Sequence, residues 1–419
     1  MACRGPYAGC GSGDRRPAPT RLGAFAKRQT SRNEDTMATL TFNTTPSIHI
    51  ERGASARLAE RVRSMGCRSV LLVTDPGVLG AGLLQPVIDD FARSQLSLRV
   101  FAEVQADPPE SVIEAAVSTA LECEADCVIG LGGGSSLDAA KLAALLARSG
   151  ESLACVYGTE VARGPRLPLI LVPTTAGTGS EVTAVSVVTN GDGQKSVVIS
   201  PLLLPDLAVL DADLTIGLPS HVTAATGIDA MVHAIEAFTS RHRKNPISDC
   251  LAREALRLLS GSIERACSSG ADIQAREDML MGACLAGMAF ANSPVAAVHA
   301  LAYPLGARFH VPHGLSNSLM LPGVLRFNQD AAAPLYAELA DIVLPGLEGD
   351  ARSRTQALIE YFTDLPLRLR LPTRLREVGV AENDLEGLAE DALKQGRLLA
   401  NNPREVNLNA ALALYQAVL

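Results

Sequence analysis

The stretch "DCVIGLGGGSSLDAAK" (126–141) determines how the first half of this 419-residue chain folds. Its apolar run predicts a buried strand, and the Ala- and Leu-rich residues after the glycines predict a helix. Glycines between a strand and a helix allow a tight turn and a close approach of backbone N–H groups to a ligand. The helix N-terminus favours negative charge, so Gly132, Gly133, Gly134 and Ser135 are candidates to bind a phosphate or pyrophosphate. The alternative is a strand–helix turn that binds nothing.

Other short apolar runs flank this stretch, and helical patterns separate them from one another. Three of these runs are "SVLLVTD" (69–75), "LSLRVFAEV" (96–104) and "LPLILVPTT" (167–175). Strands that alternate with helices in this way predict βαβ units on a parallel sheet. We therefore predict an α/β dinucleotide-binding domain over residues 37–220.

The pattern changes after about Ser220, where long helical segments replace the strands. Examples are "CLAREALRLLSGSIERACSS" (250–269) and "EDMLMGACLAGMAFANS" (277–293). These segments predict an all-helical second domain over residues 221–419. A cleft between an α/β half and a helical half is a usual place for a ligand site.

Composition excludes several classes of protein. The net charge of −8 and the pI of about 5.5 argue against nucleic acid as the main partner. The sequence contains no run of about 18 apolar residues, so it predicts no membrane-spanning helix. Nine cysteines without paired spacing favour a reducing, cytoplasmic compartment over a disulfide framework. Residues 1–36 are rich in Gly, Pro and Arg, so they read as a disordered extension or as an over-long start before Met37.

A second loop and one acidic residue extend the predicted cofactor site. The loop "VPTTAGTGSEVT" (172–183) follows another strand and presents Thr174, Thr175 and Thr178 among glycines, which suits the phosphates and the nicotinamide amide of a dinucleotide. Asp75 closes a third strand, where its carboxylate can bind ribose hydroxyls and repel a 2′-phosphate, favouring NAD over NADP. Because Asp75 precedes the glycines instead of following them by about 20 residues, the fold is not the standard dinucleotide-binding arrangement.

Two further stretches predict a metal site. In "TGIDAMVHAIEAFTS" (226–240), Asp229 and His233 lie one turn apart on the same face of an otherwise apolar helix. A buried carboxylate and imidazole are costly unless something pairs with them. The stretch "VHALAYPLGARFHVPHG" (298–314) adds His299, His310 and His313. One carboxylate and three imidazoles suit Fe(II) or Zn(II), since imidazole binds both, and His310 competes with His313 as a ligand.

Taken in order, "GGGSSLDAAK", "PTTAGTGSEVT", "TGIDAMVHAIEAF" and "HALAYPLGARFHVPHGLSN" resemble the iron-containing (group III) alcohol dehydrogenase family, over about 37–419. The resemblance implies a dehydroquinate-synthase-like fold with the active site between its two domains. It also implies a homodimer that transfers hydride between NAD(H) and a small-molecule substrate, which is an alcohol or an aldehyde.

The resemblance also assigns individual residues. It implies that the metal ligands are Asp229, His233, His299 and His313. The implied cofactor contacts are Asp75, Asp107, Gly132, Gly133, Gly134, Ser135, Ser136, Thr174, Thr175, Thr178 and Lys195. Asp107 stands where relatives commonly carry Asn. Tyr303 stands where many alcohol-oxidising relatives carry a His that relays a proton, and an ordinary tyrosine pKa near 10 makes it a poor base.

Three other functions are weighed against this one. A maleylacetate-reductase-like enzyme shares the fold and the cofactor, but its relatives tend to lack the full metal set. A dehydroquinate-synthase-like lyase would need several Lys and Arg at the cleft, for which "RHRKNP" (241–246) is the candidate. A catalytically silent scaffold would not need intact ligands and glycines. A dehydrogenase is therefore the expected function. The sequence does not decide whether its substrate is a short alcohol, a diol or an ω-hydroxy acid.

Overall fold

The computed structural model describes residues 40–191 and 193–419. The predicted extension, 1–36, lies outside these residues. Residues Thr41–Leu419 form one compact unit that contains both the sheet and the helical half of the chain. The boundary predicted at residue 220 falls within this unit.

Nine strands form two sheets in the described part of the chain. In chain order the strands are β1 (Ile48–Ile50), β2 (Ser69–Val73), β3 (Ser97–Phe101), β4 (Cys127–Gly132), β5 (Gly158–Thr159), β6 (Leu169–Pro173), β7 (Val185–Thr189), β8 (Lys195–Ile199) and β9 (Leu207–Leu210).

The larger sheet has six strands in the order β1-β9-β6-β4-β2-β3, and every pairing in it is parallel. Its central strands are buried on both faces; all six residues of β4 and all five of β6 are buried. This burial explains why their sequences are continuous apolar runs and not alternating ones. The prediction of a parallel sheet with flanking helices is confirmed.

The smaller sheet, with the order β5-β8-β7, was not foreseen from the sequence. Strands β7 and β8 are antiparallel and pair from Val185↔Ile199 to Thr189↔Lys195. The turn between them is polar and their burial is only partial, so neither strand gives the strong apolar signal of the larger sheet.

Fifteen α-helices accompany the strands in the described residues. In chain order they are α1 (Leu58–Ser64), α2 (Pro76–Gly80), α3 (Gln85–Ser94), α4 (Glu110–Glu122), α5 (Gly134–Ser149), α6 (Leu153–Val156), α7 (Ser220–Thr239), α8 (Pro246–Ser268), α9 (Ile273–Asn292), α10 (Ala297–Phe309), α11 (His313–Val343), α12 (Ala351–Arg368), α13 (Leu385–Leu393), α14 (Gly396–Leu399) and α15 (Leu408–Ala417). Short 3-10 helices cover Ala54–Arg57, Ser180–Val182, Pro201–Leu203, Ala212–Thr215, Leu375–Val378 and Glu382–Asp384.

Side-chain caps define where the long helices of the second half begin. Asn245 accepts a hydrogen bond from Ser248 N at the start of α8, and Asp272 accepts one from Ala275 N at the start of α9. Such caps satisfy backbone donors that have no partner inside the helix. Among the described residues no single helix is long and apolar enough to cross a bilayer; α9 and α10 pass that test only as a pair bent by 106°.

The parallel sheet places the predicted cofactor segments next to one another. Strands β6, β4 and β2 are neighbours, and all three end at the same edge because they run in the same direction. Asp75 follows β2, the glycine turn closes β4, and Thr174 follows β6. The carboxyl ends of parallel strands are the usual ligand-binding edge of such a sheet.

Two glycines allow the loop after β6 to contact the helical half directly. A Cβ on Gly287 of α9 would lie 2.8 Å from Gly179 Cα and 2.8 Å from Val182 Cγ2. Gly179 itself has φ +60°, a left-handed conformation that glycine adopts without strain. Side chains at these positions would push the loop away from α9.

We expect Gly287→Ala to lower the free energy of unfolding by about 1–3 kcal/mol, because the added methyl overpacks this contact. Chemical denaturation measures the change. The matched control is Gly261→Ala on the exposed face of α8, where a Cβ meets nothing within 4 Å. That control should stabilise the protein by up to about 1 kcal/mol through helix propensity. Equal effects of the two substitutions would contradict the close-contact explanation.

Candidate metal centre and cofactor cleft

A cleft opens between the carboxyl edge of the larger sheet and the helices of the second half. We call it the active cleft, and the following residues line it: Asp107, Pro108, Gly134, Ser135, Asp138, Thr178, Ser180, Thr183, Val185, Val187, Lys195, Asp229, His233, Phe290, Val295, His299, Ala302, Tyr303, Gly306, Val311 and His313. It therefore contains predicted metal ligands and predicted cofactor contacts together.

Four side chains form a cluster at the helical wall of the active cleft. Asp229 Oδ1 lies 3.9 Å from His233 Nε2, 3.8 Å from His299 Nε2 and 3.7 Å from His313 Nε2. One ligand atom from each of the four residues lies within 4.8 Å of all the others. This set of one carboxylate and three imidazoles fits a divalent transition metal such as Fe(II) or Zn(II).

Three helices bring the cluster together. Asp229 and His233 lie one turn apart in the buried part of α7. His299 is the third residue of α10, and His313 is the first residue of α11. His310, the competing candidate, is exposed at the end of α10 and lies outside the cluster. His313, the ligand that the resemblance implies, is therefore the one of the two that lies in the cluster.

Glu236 is a functional residue that the sequence analysis missed. Its carboxylate accepts hydrogen bonds from Ala296 N at 2.9 Å and Val298 N at 2.7 Å, and it lies 2.7 Å from His299 Nδ1. A proton on Nδ1 then leaves His299 Nε2, the nitrogen that faces the cluster, free to bind a metal. Glu236 follows Asp229 by seven residues, so the spacing of 229, 233 and 236 on one helical face was a usable signal.

Asn317, one turn after His313 on α11, also contacts the cluster. Its Nδ2 donates to Asp229 Oδ1 at 2.5 Å and lies within 3.3 Å of Nε2 of both His299 and His313. The amide oxygen of Asn317 is buried without a hydrogen-bond partner in the described residues. Unpaired buried polar atoms are rare, and the one here fits a site built around a further group.

Burial sets the protonation of the cluster. It lowers the pKa of His233 to about 3, so this imidazole is neutral at neutral pH. Burial alone would raise the pKa of Asp229, but His233, His313, His299 and the Asn317 amide together lower it below its ordinary value. A neutral imidazole and an ionised carboxylate are the forms that bind a metal.

Aromatic packing closes one side of the cluster. The Phe290 ring stacks on His233 with centroids 4.3 Å apart, and His233 stacks on His299 at 4.7 Å. Tyr303 follows His299 by one turn, and its ring centroid lies 5.7 Å from that of His313. Burial raises the pKa of Tyr303 to about 12. Its phenol is therefore a hydrogen-bond donor at neutral pH and not a base.

The opposite wall of the active cleft begins at the glycine turn. Gly134 opens α5, and a Cβ on it would meet Thr178 Cγ2 at 2.7 Å, so the turn and the loop after β6 touch directly. Gly133 has more space, since the nearest atom to its Cβ position would be Thr175 Oγ1 at 3.7 Å. The structure thus brings the two predicted phosphate loops into contact.

A second opening adjoins the turn, and we call it the nucleotide pocket. It is lined by Asp75, Pro76, residues 102–106, Gly133, Gly134, Ser135 and Ser136. Asp75 accepts hydrogen bonds from Val78 N, which caps α2, and from Ser136 Oγ at 3.0 Å. Its carboxylate is therefore held beside the turn.

Asp107 and Lys195 form an ion pair at the mouth of the active cleft. Lys195 Nζ also donates to Thr189 Oγ1 at 3.3 Å, and Asp107 N donates to Ser135 Oγ at 3.3 Å. Asp107 has φ +54°, in the left-handed region where Asn is more common than Asp.

Some predicted cofactor residues do not line either opening. Thr174 is buried, and its N–H donates to Gly132 O at 2.9 Å, so both residues lie beneath the surface of the active cleft. Thr175 is half-buried beside Gly133. Their placement supports the turn from below, whereas Asp75, Asp107, Ser135, Thr178 and Lys195 reach the openings.

Comparison with known proteins places both halves of the chain in one family. Residues 45–212 match the family model described as iron-containing alcohol dehydrogenase, and residues 223–419 match the C-terminal model of the Fe-containing alcohol dehydrogenase family. The chain is 40% identical to long-chain-alcohol dehydrogenase 1 of Geobacillus thermodenitrificans over 89% of its own length and 95% of that protein.

Solved structures agree with this placement. The chain resembles a crystal structure of 1,3-propanediol oxidoreductase, with a TM-score of 0.88, 32% identity, and coverage of 91% of this chain and 100% of that one. It also resembles sulfoacetaldehyde reductase from Bifidobacterium kashiwanohense in complex with NAD+, with a TM-score of 0.82, 29% identity, and coverage of 91% and 99%.

We expect Glu236→Gln to weaken metal binding by about 10- to 100-fold, because the amide NH2 faces backbone donors and releases His299 from its orientation. Competition against a chelator measures the affinity. The matched control is Glu254→Gln on α8, where the exposed carboxylate pairs with Arg257. Unchanged affinity in Glu236→Gln would contradict the orienting role.

Proposed function

The chain belongs to the iron-containing alcohol dehydrogenase family, and on that premise we propose that the active cleft interconverts a small aldehyde and its alcohol with NAD(H) and a divalent metal. One observation carries the proposal: the Asp229–His233–His299–His313 cluster and the glycine turn line the same opening. That arrangement supports contact between a metal-bound substrate and a cofactor seated on the turn.

We propose Asp229, His233, His299 and His313 as the ligands of iron(II), with zinc as the alternative. The cofactor contacts proposed are Asp75, Asp107, Gly133, Gly134, Ser135, Ser136, Thr178 and Lys195. Gly132, Thr174 and Thr175, which the resemblance also implies, are proposed to support the turn from below. When bound, the metal supplies a Lewis acid for the substrate oxygen and the nicotinamide supplies or accepts the hydride.

The residues of the chain provide position and environment for this reaction. The glycine turn and Thr178 hold the dinucleotide at the sheet edge, and Asp75 favours NAD over NADP through repulsion of a 2′-phosphate. Phe290, whose ring stacks on His233, excludes water from one side of the cluster. Holding both reactants in reacting geometry is the main contribution that these residues make to the rate.

The substrate proposed is a short aliphatic aldehyde. Phe290, Val295, Ala302, Gly306 and Val311 form a largely apolar lining beside the cluster, which supports a short carbon chain. The relatives named above act, by their names, on long-chain alcohols, 1,3-propanediol and sulfoacetaldehyde. Family membership therefore leaves the length and the far end of the substrate open.

The alternatives considered from the sequence are not favoured. Among the described residues that line the active cleft, Lys195 is the one Lys or Arg, and it pairs with Asp107. Arg241 and Arg243 are exposed and do not line the cleft, which removes the basic groups that a lyase would need for phosphate and carboxylate. A maleylacetate-reductase-like enzyme is disfavoured by the complete ligand set.

We also propose a cytoplasmic homodimer. The seven cysteines that the structure describes are all free thiols, which supports a reducing compartment. The dimer rests on the family resemblance alone.

We expect the purified protein, loaded with Fe(II) under anaerobic conditions, to oxidise NADH in the presence of short aldehydes. It should oxidise NADH more efficiently than it oxidises NADPH. Chelated and Zn(II)-loaded samples run alongside. His233→Gln should lose metal and turnover together, whereas His242→Gln, an exposed histidine outside the cleft, should keep both. Metal and NADH binding without turnover on any aldehyde would refute the proposal.

We propose that Tyr303 donates a hydrogen bond to the substrate oxygen and does not act as a base. Because its pKa is raised to about 12, the phenol stays protonated throughout pH 6–9. Tyr303→Phe should therefore lower kcat by less than about 100-fold and leave the shape of the pH profile unchanged. Tyr303→His should add an inflection near the ordinary histidine pKa of about 6.5. A wild-type inflection that disappears in Tyr303→Phe would contradict this role.

A further inference from the structure

Lys141 is a buried cation for which the mechanism above has no use. It lies on α5 and its side chain is 0% exposed. Its ammonium group donates to Val185 O at 2.7 Å, Ser180 Oγ at 2.8 Å and Thr183 Oγ1 at 3.1 Å. A fourth acceptor, Asp138 Oδ1, lies at 3.3 Å. The three donors of the ammonium are therefore fully used.

Asp138 binds the same segment from the same helix. Its Oδ1 accepts a hydrogen bond from Ser180 Oγ at 2.6 Å, and its Oδ2 accepts one from Val187 N at 2.9 Å. Lys141 and Asp138 lie one turn apart on α5, so together they hold residues 180–187 against this helix. We call residues 180–187 the bridging segment.

The bridging segment connects the two sides of the proposed cofactor site. It begins two residues after Thr178, which packs against Gly134 of the glycine turn. It ends in β7, the strand that pairs with β8 and so places Lys195 at the cleft mouth. Because α5 begins at the glycine turn, Lys141 ties the bridging segment to the helix whose N-terminus is the proposed phosphate site.

We propose that Lys141 is a positioning residue for the dinucleotide: its ammonium fixes the bridging segment to α5 and thereby sets the distance between the glycine turn and the Thr178–Lys195 side of the cleft. This inference rests on the proposed function, since it presupposes that a dinucleotide lies there.

Stability alone does not explain a cation at this position. Burial lowers the pKa of Lys141, and the neighbouring carboxylates Asp138 and Glu181 oppose that shift without reversing it. Replacing buried charges by apolar side chains of similar volume is often neutral or stabilising in proteins. The ammonium offers something that an apolar chain does not, namely simultaneous directional bonds to Ser180, Thr183 and Val185.

The test compares Lys141→Met, which keeps the length and removes the donors, with Lys141→Arg, which keeps the charge. We expect Lys141→Met to weaken NADH binding, measured directly by NADH fluorescence, by about 10-fold or more. The KM for NADH should rise more than kcat falls, with the metal content unchanged. Lys141→Arg should recover part of the affinity.

Lys244→Met is the matched control. Lys244 also donates to a backbone carbonyl and an aspartate, Phe238 O and Asp249 Oδ1, but it lies outside the active cleft. The Lys244→Met variant should change thermal stability without changing NADH binding. A Lys141→Met protein that melts earlier but binds NADH as the wild type does would overturn the positioning role.

Two further variants keep the test decisive if Lys141→Met does not fold. Ser180→Ala and Thr183→Val each remove one acceptor of the ammonium, and each should weaken NADH binding. Wild-type affinity in both would overturn the proposal. The wild-type protein separates the two hypotheses: its failure to bind NADH would refute the proposed function as well, whereas binding that is insensitive to all variants refutes only the role of Lys141.

Discussion

The ionised carboxylate of Asp229, buried at the centre of three imidazoles, is the constraint on which the rest of the helical half depends. Removing a carboxylate from water costs of the order of several kcal/mol, so it must be compensated by groups of opposite or adaptable charge. Three helices contribute to that compensation: α7 supplies His233, α10 supplies His299, and α11 supplies His313 and Asn317. The crossing of α7, α10 and α11 near one point is therefore tied to the chemistry of the site as well as to packing.

A second buried carboxylate, that of Glu236, is compensated in the same way next to the cluster. Glu236 is also buried, and two backbone N–H groups together with His299 Nδ1 satisfy its carboxylate. The break between α9 and α10 is what makes Ala296 N and Val298 N available, since both lie at the start of α10, where no helical partner exists. A helix start, a carboxylate and a metal ligand thus form one connected unit, and the orientation of His299 follows from it.

On the sheet side, close packing takes the place of charge pairing. Gly134 touches Thr178, Gly179 touches Gly287, and these contacts leave no room for larger side chains. The loop after β6 is consequently held between the glycine turn and α9, with the Lys141–Asp138 pair bonded to its continuation. An NAD-linked reaction requires the cofactor and the metal to be held at a fixed separation, and a loop restrained from three directions provides that rigidity.

The sequence by itself determined the features that depend on local order. Continuous apolar runs followed by turn residues predicted the parallel sheet, since strands buried on both faces need apolar side chains at every position. The spacing of Asp229 and His233 predicted a shared helical face, because four residues make about one turn. The motifs also indicated the family, which the comparisons confirm.

Tertiary structure decided what depends on residues far apart in the chain. The bond of Glu236 to His299, the Asp107–Lys195 pair and the contacts of Lys141 with Ser180, Thr183 and Val185 all join segments that the sequence leaves separate. The small sheet of β5, β8 and β7 was likewise undetected, since its partly buried strands carry a weak pattern. Periodicity reports which face of an element is buried, but it carries no information about which other element covers that face.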